Sequence, residues 1–302
     1  MKHKQTGRRI KDCASDRALY GVVNALLALM MLLVAYPLLN ILSSSFSSPR
    51  AVSTGRVVLL PVEFSLLGYQ TVFAHRLIGI AYRNTIFYSL AGTLINLTMV
   101  LTCAYPLSRR DFPLRSPLMI ACLITMYFSG GLIPSYILMV QLGLINNVWA
   151  MLLPGALSVY NMILTRTYIL SNVPVELLEA SQIDGCSDAR YFTAVLLPLC
   201  KPIIAVVALY SVVGHWNSYF NALIYLNDQR LFPLQLILRQ ILISSEINPS
   251  DMGDIDGAIA KQGLSDLLKY ALIVVATAPI LCVYPFLQRF FVKGVMIGSV
   301  KG

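Results

Sequence analysis

The segment Glu179–Pro198, EASQIDGCSDARYFTAVLLP, carries Glu179, Asp184, Asp188 and Arg190 between two of the most apolar stretches of its chain. Its local signals are those of two short helices joined by a hinge. Asn172 and Val173 offer a helix start with Pro174 in the first turn, and VELLEASQID continues from it. Gly185 stands where that helix must end with positive φ, and Ser187 is placed to cap a second helix that runs to Pro198. Ala180 and Ser181 are small enough to let another surface approach closely, while Glu176, Glu179 and Asp184 offer acceptors to a basic partner.

The flanks explain why a charged hinge is unexpected there. Of 302 residues, 57% are hydrophobic and only 12% are charged, more apolar than soluble domains normally are. An ionised side chain at a bilayer centre costs at least about 2.5–3.5 kcal/mol, and a spanning helix needs about 20 apolar residues, so uncharged runs read as spans. Read this way, the chain is an all-α membrane protein with six transmembrane helices, at about 18–42, 84–106, 116–130, 148–168, 202–225 and 270–288. The run from Ser116 to Thr165 has no charge and is long enough for two helices, with SGGLIPS and LINN marking the turn. The first run is too long for a signal peptide and lacks a convincing cleavage site, so it reads as an anchor. Pro37, Pro106, Pro154 and Pro279 predict a kinked bundle.

Lysine and arginine set the orientation. The tail 1–17 carries Lys2, Lys4, Arg8, Arg9, Lys11 and Arg17, and the connection after span two carries Arg109, Arg110 and Arg115, so both are expected in the cytoplasm. An even number of spans returns the tail 289–302 to that side, and the loop 171–201 with it. The net charge of +9 is then mostly topological bias with anionic lipid contact, and gives no support to nucleic-acid binding. Cys103, Cys122 and Cys282 fall in spans and Cys13, Cys186 and Cys200 in or beside cytoplasmic segments, so no structural disulfide is implied.

Enzymatic chemistry finds little footing. The six spans contain no Asp or Glu, and His3, His75 and His215 have no metal-ligand spacing. Glu246, Asp251, Asp254 and Asp256 in an outer loop lack a complete calcium pattern and read as a solvated connection. Ser211 and His215 share a helix face, so an intramembrane hydrolase is the rival class, although no carboxylate is near to orient the pair. No phosphate-binding glycine loop occurs, so any ATP must be bound by another chain. A pathway through the spans would be lined by neutral groups, among them Tyr88, Asn96, Tyr160, Asn161, Trp216, Asn217, Tyr219 and Asn221, a set suited to neutral polar solutes such as sugars.

The spacing of the hinge segment is more specific. Glu179, Ala180, Ser181, three residues, Gly185, nine residues, then Val195 to Pro198 resembles the Glu-Ala-Ala loop of ABC-importer permeases, with Ser181 for the last alanine and Val195 for isoleucine. The wider LLEASQIDGCSDARYFTAVLLPLCKP is similar to the sugar-importing branch. So are SLLGYQTVF before span two, the Trp216–Asn217 pair, and the ending YPFLQRFFVKGVMIGSVKG, the last being similar to the subgroup handling oligosaccharides and polysaccharide fragments.

The resemblance implies a type I importer permease in a bacterial inner or plasma membrane, both termini cytoplasmic, with no catalytic or metal site of its own. It implies that Glu179 meets a basic residue of an ATPase, that Ala180 permits close packing, that Gly185 makes the turn, and that Pro198 marks the start of span five. It also implies a second homologous permease, two ATPase subunits using ATP and Mg, and an extracytoplasmic solute-binding protein. Tyr160, Asn161, Trp216 and Asn217 are the expected solute contacts. A permease for a non-sugar solute is the nearer alternative.

Overall fold

The computed structural model describes residues 14–244 and 262–282, and all regular structure among them is helical. In chain order the elements are α1 (Ala14–Ser45), α2 (Pro49–Ser53), α3 (Leu67–Ala74), α4 (Ile78–Ser108), α5 (Arg115–Tyr127), α6 (Leu132–Gln141), α7 (Trp149–Leu152) and α8 (Val159–Asn172). They continue with α9 (Val175–Ile183), α10 (Asp188–Tyr191), α11 (Leu197–Leu199), α12 (Lys201–Trp216), α13 (Phe220–Tyr225), α14 (Leu234–Ser244) and α15 (Gln262–Cys282). The chain divides into two compact units, residues 1–70 with 247–274 and residues 71–246 with 275–302.

Within the first unit, α1 is apolar on all sides and its most apolar stretch is 0% buried, as expected of a helix that meets lipid or another chain. The serines at its C-terminal end fold the following loop back onto it. Ser43 Oγ donates to the Leu59 carbonyl (2.6 Å), Val62 N–H donates to Ser47 Oγ (3.0 Å), and the Asn40 amide reaches the Val57 and Val58 carbonyls (3.0 Å each). Glu63 accepts from Arg56 and Ser48, and these bonds hold its carboxyl below the ordinary range. Two glycines allow close helix packing: Gly68 sits against Leu267 and Ala271, and Gly263 against the backbone of Pro49.

The second unit is built on α4, an unbroken helix of 31 residues. Its buried face runs from Ala81 through Thr85, Tyr88, Gly92, Asn96, Val100 and Ala104 to Leu107, a stripe in which small and polar residues recur at helical spacing. Helix α12 lies antiparallel along it, since Trp216 meets Tyr82 while Ser211 meets Asn96. At one end of α4, Asn84 donates to the Arg230 and Phe232 carbonyls, Tyr88 to the Leu231 carbonyl, and Leu234 N–H to Thr85 Oγ1. These bonds seat α14, which buries Leu234, Leu236, Ile237, Leu238 and Ile241 and so behaves as the amphipathic segment its sequence suggests.

Several expected spans have different limits. Only α1, α4 and α15 are, as single helices, long and apolar enough to cross a bilayer. The run expected at 116–130 ends at Tyr127 and turns by 111° into α6. The run expected at 148–168 is broken after Leu152 by Pro154 and Gly155, the latter at φ +77°, and resumes at Val159. The run expected at 202–225 breaks at 217–219. Hydropathy marks where charge is absent, whereas a glycine or proline decides whether the backbone stays helical there. Helix α15 begins at Gln262, ahead of the expected 270, and α1 begins at Ala14, within the expected tail 1–17; residues 283–288 of the last span, the acidic outer loop, the tail up to residue 13 and the tail 289–302 lie outside the described residues.

Gly92 permits the closest approach between α4 and α12. A Cβ there would stand 2.3 Å from His215 Nε2, whereas one at Gly79, in the first turn of α4, would meet nothing within 4 Å. Gly92→Ala should therefore destabilise the detergent-solubilised protein by about 1–3 kcal/mol through overpacking. Gly79→Ala should leave the melting temperature unchanged or raised, and equal shifts for the two would contradict this packing.

Candidate functional site

The hinge segment forms an exposed arm. Helix α9 starts after Pro174 and buries no residue, and Ile183 at its tip is 87% exposed. Gly185 takes φ +69°, the left-handed turn that a side chain would strain, and the Cys186 N–H closes onto the Ser181 carbonyl (2.9 Å). Ser187 then caps α10 by accepting from the Arg190 N–H (3.4 Å). The second helix widens into a π turn over Phe192–Leu196, just ahead of Pro198, which has no N–H to offer the preceding turn. Between Leu199 and Lys201 the chain bends by 80°, with Cys200 fully buried at the corner. Pro198 thus lies two residues before that corner, and α12 begins beyond it.

Glu176, Glu179, Ala180, Asp184 and Gly185 are all exposed, and Ser181 is half-buried with its hydroxyl donating to the Leu178 carbonyl (2.7 Å). None of the three carboxylates forms an ion pair within the described residues. Free acids and an exposed isoleucine on a helix tip are surface left for another molecule.

The arm is clamped to α4. Arg109, one residue beyond that helix and 12% exposed in its side chain, donates to Asp188 at the start of α10, to both oxygens of Asp111 (2.9 and 2.5 Å) and to the Tyr105 hydroxyl (3.0 Å). The guanidinium holds the Asp111 carboxyl below its usual range, and the same bond raises the pKa of Arg109, so the clamp stays charged at any physiological pH. Arg166 of α8 adds a second tie, its Nε donating to the Leu107 carbonyl at the C-terminus of α4 (2.8 Å). Beneath the arm, Tyr191, Leu196 and Cys200 pack with Val100, Ala104 and Val207. A cleft of about 320 Å³ lined by Tyr105, Arg110, Leu178, Glu179 and Gln182 separates α9 from the ends of α4 and α8.

Farther along α4 lies a polar cavity of about 260 Å³, lined by Asn96, Asn161, Ser211, His215, Ser218 and Asn221 among others, with no charged carboxylate, lysine or arginine in its wall. Asn96 organises it. Its Nδ2 donates to the Gly155 and Ala156 carbonyls (3.4 and 3.1 Å), which the break between α7 and α8 leaves without helical partners, and its Oδ1 accepts from Ser211 Oγ (2.7 Å).

Of the four solute contacts expected from the sequence, Asn161 lines this cavity and the other three do not. Tyr160 is 60% exposed. Trp216 is buried as packing, its indole N–H donating to the Ala276 carbonyl (2.9 Å) and its ring against Tyr82. Asn217 is exposed and accepts from the Gln235 amide at 3.4 Å. Helical spacing from a single Trp-Asn pair does not tell which face meets the cavity. Ser211, Ser218 and His215 escape that reading because a serine or histidine in a span is as readily interhelical glue. The hydrolase alternative loses its pair, since Ser211 donates to Asn96 while His215 rests against Gly92. Among the described residues no set of His, Cys, Asp and Glu gathers to hold a metal.

The model of the family described as "Binding-protein-dependent transport system inner membrane component" matches residues 13–297. The polygalacturonan/rhamnogalacturonan transport system permease protein YtcP of Bacillus subtilis is 37% identical over 97% of this chain and 100% of its own length. Protein LplC of the same organism is 40% identical over 88% of this chain and 89% of its own. The crystal structure of a bacterial ABC transporter involved in the import of the acidic polysaccharide alginate contains a chain similar at a TM-score of 0.81, with 33% identity, covering 93% of this chain and 99% of that one.

Replacing Asn96 by Leu would let the exposed Gly155 carbonyl turn to water but leave the buried Ser211 hydroxyl and the half-buried Ala156 carbonyl without their partner. Each such group costs about 1–3 kcal/mol, so a clear fall in melting temperature is expected. The double variant N96L/S211A should lose less than the sum of the single effects, because the two side chains share one bond. Strict additivity would show that the Asn96–Ser211 bond is not formed in the folded protein.

Proposed function

We propose that this chain, which belongs to the family of binding-protein-dependent transport system inner membrane components, is the permease subunit of an ATP-driven importer of oligosaccharides, fragments of acidic polysaccharide among them. The observation that carries the reading is the pairing of two features on one helix: an unpartnered, hinge-bounded arm clamped at one end of α4, and an uncharged amide- and hydroxyl-lined cavity along its length. Hydroxyls and amides suit the hydroxyls of a sugar, and the named solutes of two similar proteins are polysaccharides.

In this reading α9 docks in a cytoplasmic ATPase, one of two that bind ATP and Mg. Glu179 meets a basic residue of it, Glu176 and Asp184 add acceptors, Ala180 and Ser181 permit close approach, and Gly185 with Pro198 bounds the moving arm. A second, homologous permease completes the pathway, and an extracytoplasmic binding protein delivers the solute. Asn161 is the expected solute contact retained from the sequence, joined by Asn96, His215 and Asn221. Both termini lie in the cytoplasm in this arrangement. Closure of the ATPases moves the arm, and the permeases expose the cavity to each side in turn.

Two variants test the coupling. Glu179→Lys should abolish saccharide uptake while leaving membrane abundance and melting temperature unchanged, because the side chain is exposed and unpaired. Normal uptake with normal ATPase association would remove Glu179 from the interface. Arg109→Ala should cost about 1.5–3 kcal/mol of local stability, the worth of a hydrogen bond to a charged group, read as faster amide exchange over residues 175–199 with reduced uptake. Unchanged exchange there would show that Arg109 does not clamp the arm.

A further inference from the structure

One cation stands apart from the features used so far. Arg239 of α14 is exposed, and its guanidinium lies over the Tyr219 ring at 5.0 Å from the centroid. Like most arginines of the described residues it has no carboxylate partner, but it is held over an aromatic ring beside the polar cavity. On the same side of α14, Gln235 donates to Asn217. Tyr219 and Asn217 belong to the break between α12 and α13; Ser218, between them, lines the polar cavity, as does Asn221 in the first turn of α13. One short non-helical stretch therefore joins the cavity wall to the ring that holds Arg239.

A contact of a guanidinium with an aromatic face is worth about 0.5–1 kcal/mol at an exposed site, enough to favour one position of the side chain while its charge stays accessible. The geometry gives it a use. The Tyr219 ring takes one side of the guanidinium, so the N–H donors that do not face the ring remain free as a fork for an acceptor. A carboxylate is the acceptor whose two oxygens match that fork. The cavity itself carries no fixed charge, so any discrimination between acidic and neutral sugars by this chain has to come from its margin.

We propose that Arg239, held by Tyr219, is the residue with which this permease selects uronate-containing oligosaccharides over neutral ones. This deepens the saccharide reading above and rests on it. Arg239 hydrogen-bonds the carboxylate of a uronic acid unit as that unit reaches the cavity, while Asn161, His215 and Asn221 meet its hydroxyls. Tyr219 acts as a positioning residue, touching the guanidinium and not the carboxylate.

The test uses the complete importer in cells, with labelled trigalacturonate and its fully methyl-esterified form as probes, which share one backbone and differ in charge. In the wild type, trigalacturonate should be taken up in preference to the ester. Arg239→Gln should lower trigalacturonate uptake about tenfold, the worth of one charge-assisted hydrogen bond, and leave ester uptake unchanged. Arg239→Lys should fall between, keeping the charge without the fork, and Tyr219→Leu should lower the acid-to-ester ratio with Arg239 intact. Equal loss of both probes in Arg239→Gln and Arg239→Lys would overturn the proposal and assign Arg239 to packing or to a lipid phosphate, and unchanged uptake of both would overturn it as well. Wild-type uptake of the ester alone would overturn the proposal and leave the saccharide permease standing. Uptake of no saccharide of either kind would instead overturn the reading on which it rests.

Discussion

A broken helix leaves carbonyls that its own turns no longer satisfy, and here one buried amide supplies their partner. Asn96 donates to the two carbonyls exposed where α7 gives way to α8 and accepts from Ser211 on α12. Two segments distant in sequence are thereby tied to one turn of α4. Without such a residue the break at Pro154 and Gly155 would be an uncompensated cost. With it, the break becomes the wall of a cavity whose remaining groups are neutral hydrogen-bonding side chains. The cavity exists because the helix is broken, and the break is tolerated because Asn96 is there.

The other end of α4 solves a different problem, that of holding an exposed arm still. Helix α9 has no buried residue and could not keep one orientation by packing alone. Its orientation comes instead from the second half of the arm, where Tyr191 and Leu196 enter the core and Asp188 meets Arg109. Arg109 sits at the point where α4 ends, and Arg166 satisfies a terminal carbonyl of the same helix. A partner that pushed on Ile183 or Glu179 would thus push on α4 through both a packed and a charged contact.

Local signals were the legible part of the sequence. Gly185 at positive φ and the Ser187 cap follow from residue chemistry within a few positions, and the structure has both; the first helix begins at Val175, with Pro174 as its cap and not in its first turn, because Asn172 still belongs to α8. The belonging to a transport family followed from the spacing of the same residues. Contacts between distant segments were not legible. Asn96 and Asn221 stood among many neutral candidates, and nothing in the sequence says that one asparagine reaches Gly155 across about 60 positions while Trp216 turns away toward Ala276. Helix limits were not legible for a related reason: absence of charge is a property of composition, whereas the turns at Gly131, Gly155 and Asn217 belong to the backbone.

Helix α4 joins these two ends, and its continuity matters for that reason. At roughly 1.5 Å per residue its 31 residues span about 46 Å with a single proline, Pro106, in the last turn, so it transmits displacement along its axis with little bending. The clamp at Arg109 fixes the arm to one end, and Asn96 fixes the broken helix to the middle. Motion of the arm relative to α4 would have to break charged hydrogen bonds, while motion of the arm together with α4 breaks none of them. The second course is cheaper, and it carries Asn96, and with it the backbone at Gly155 and the Ser211 hydroxyl, along with the arm. A cavity whose wall is attached to the driven helix changes shape when that helix moves, without needing a separate relay of side chains between the two.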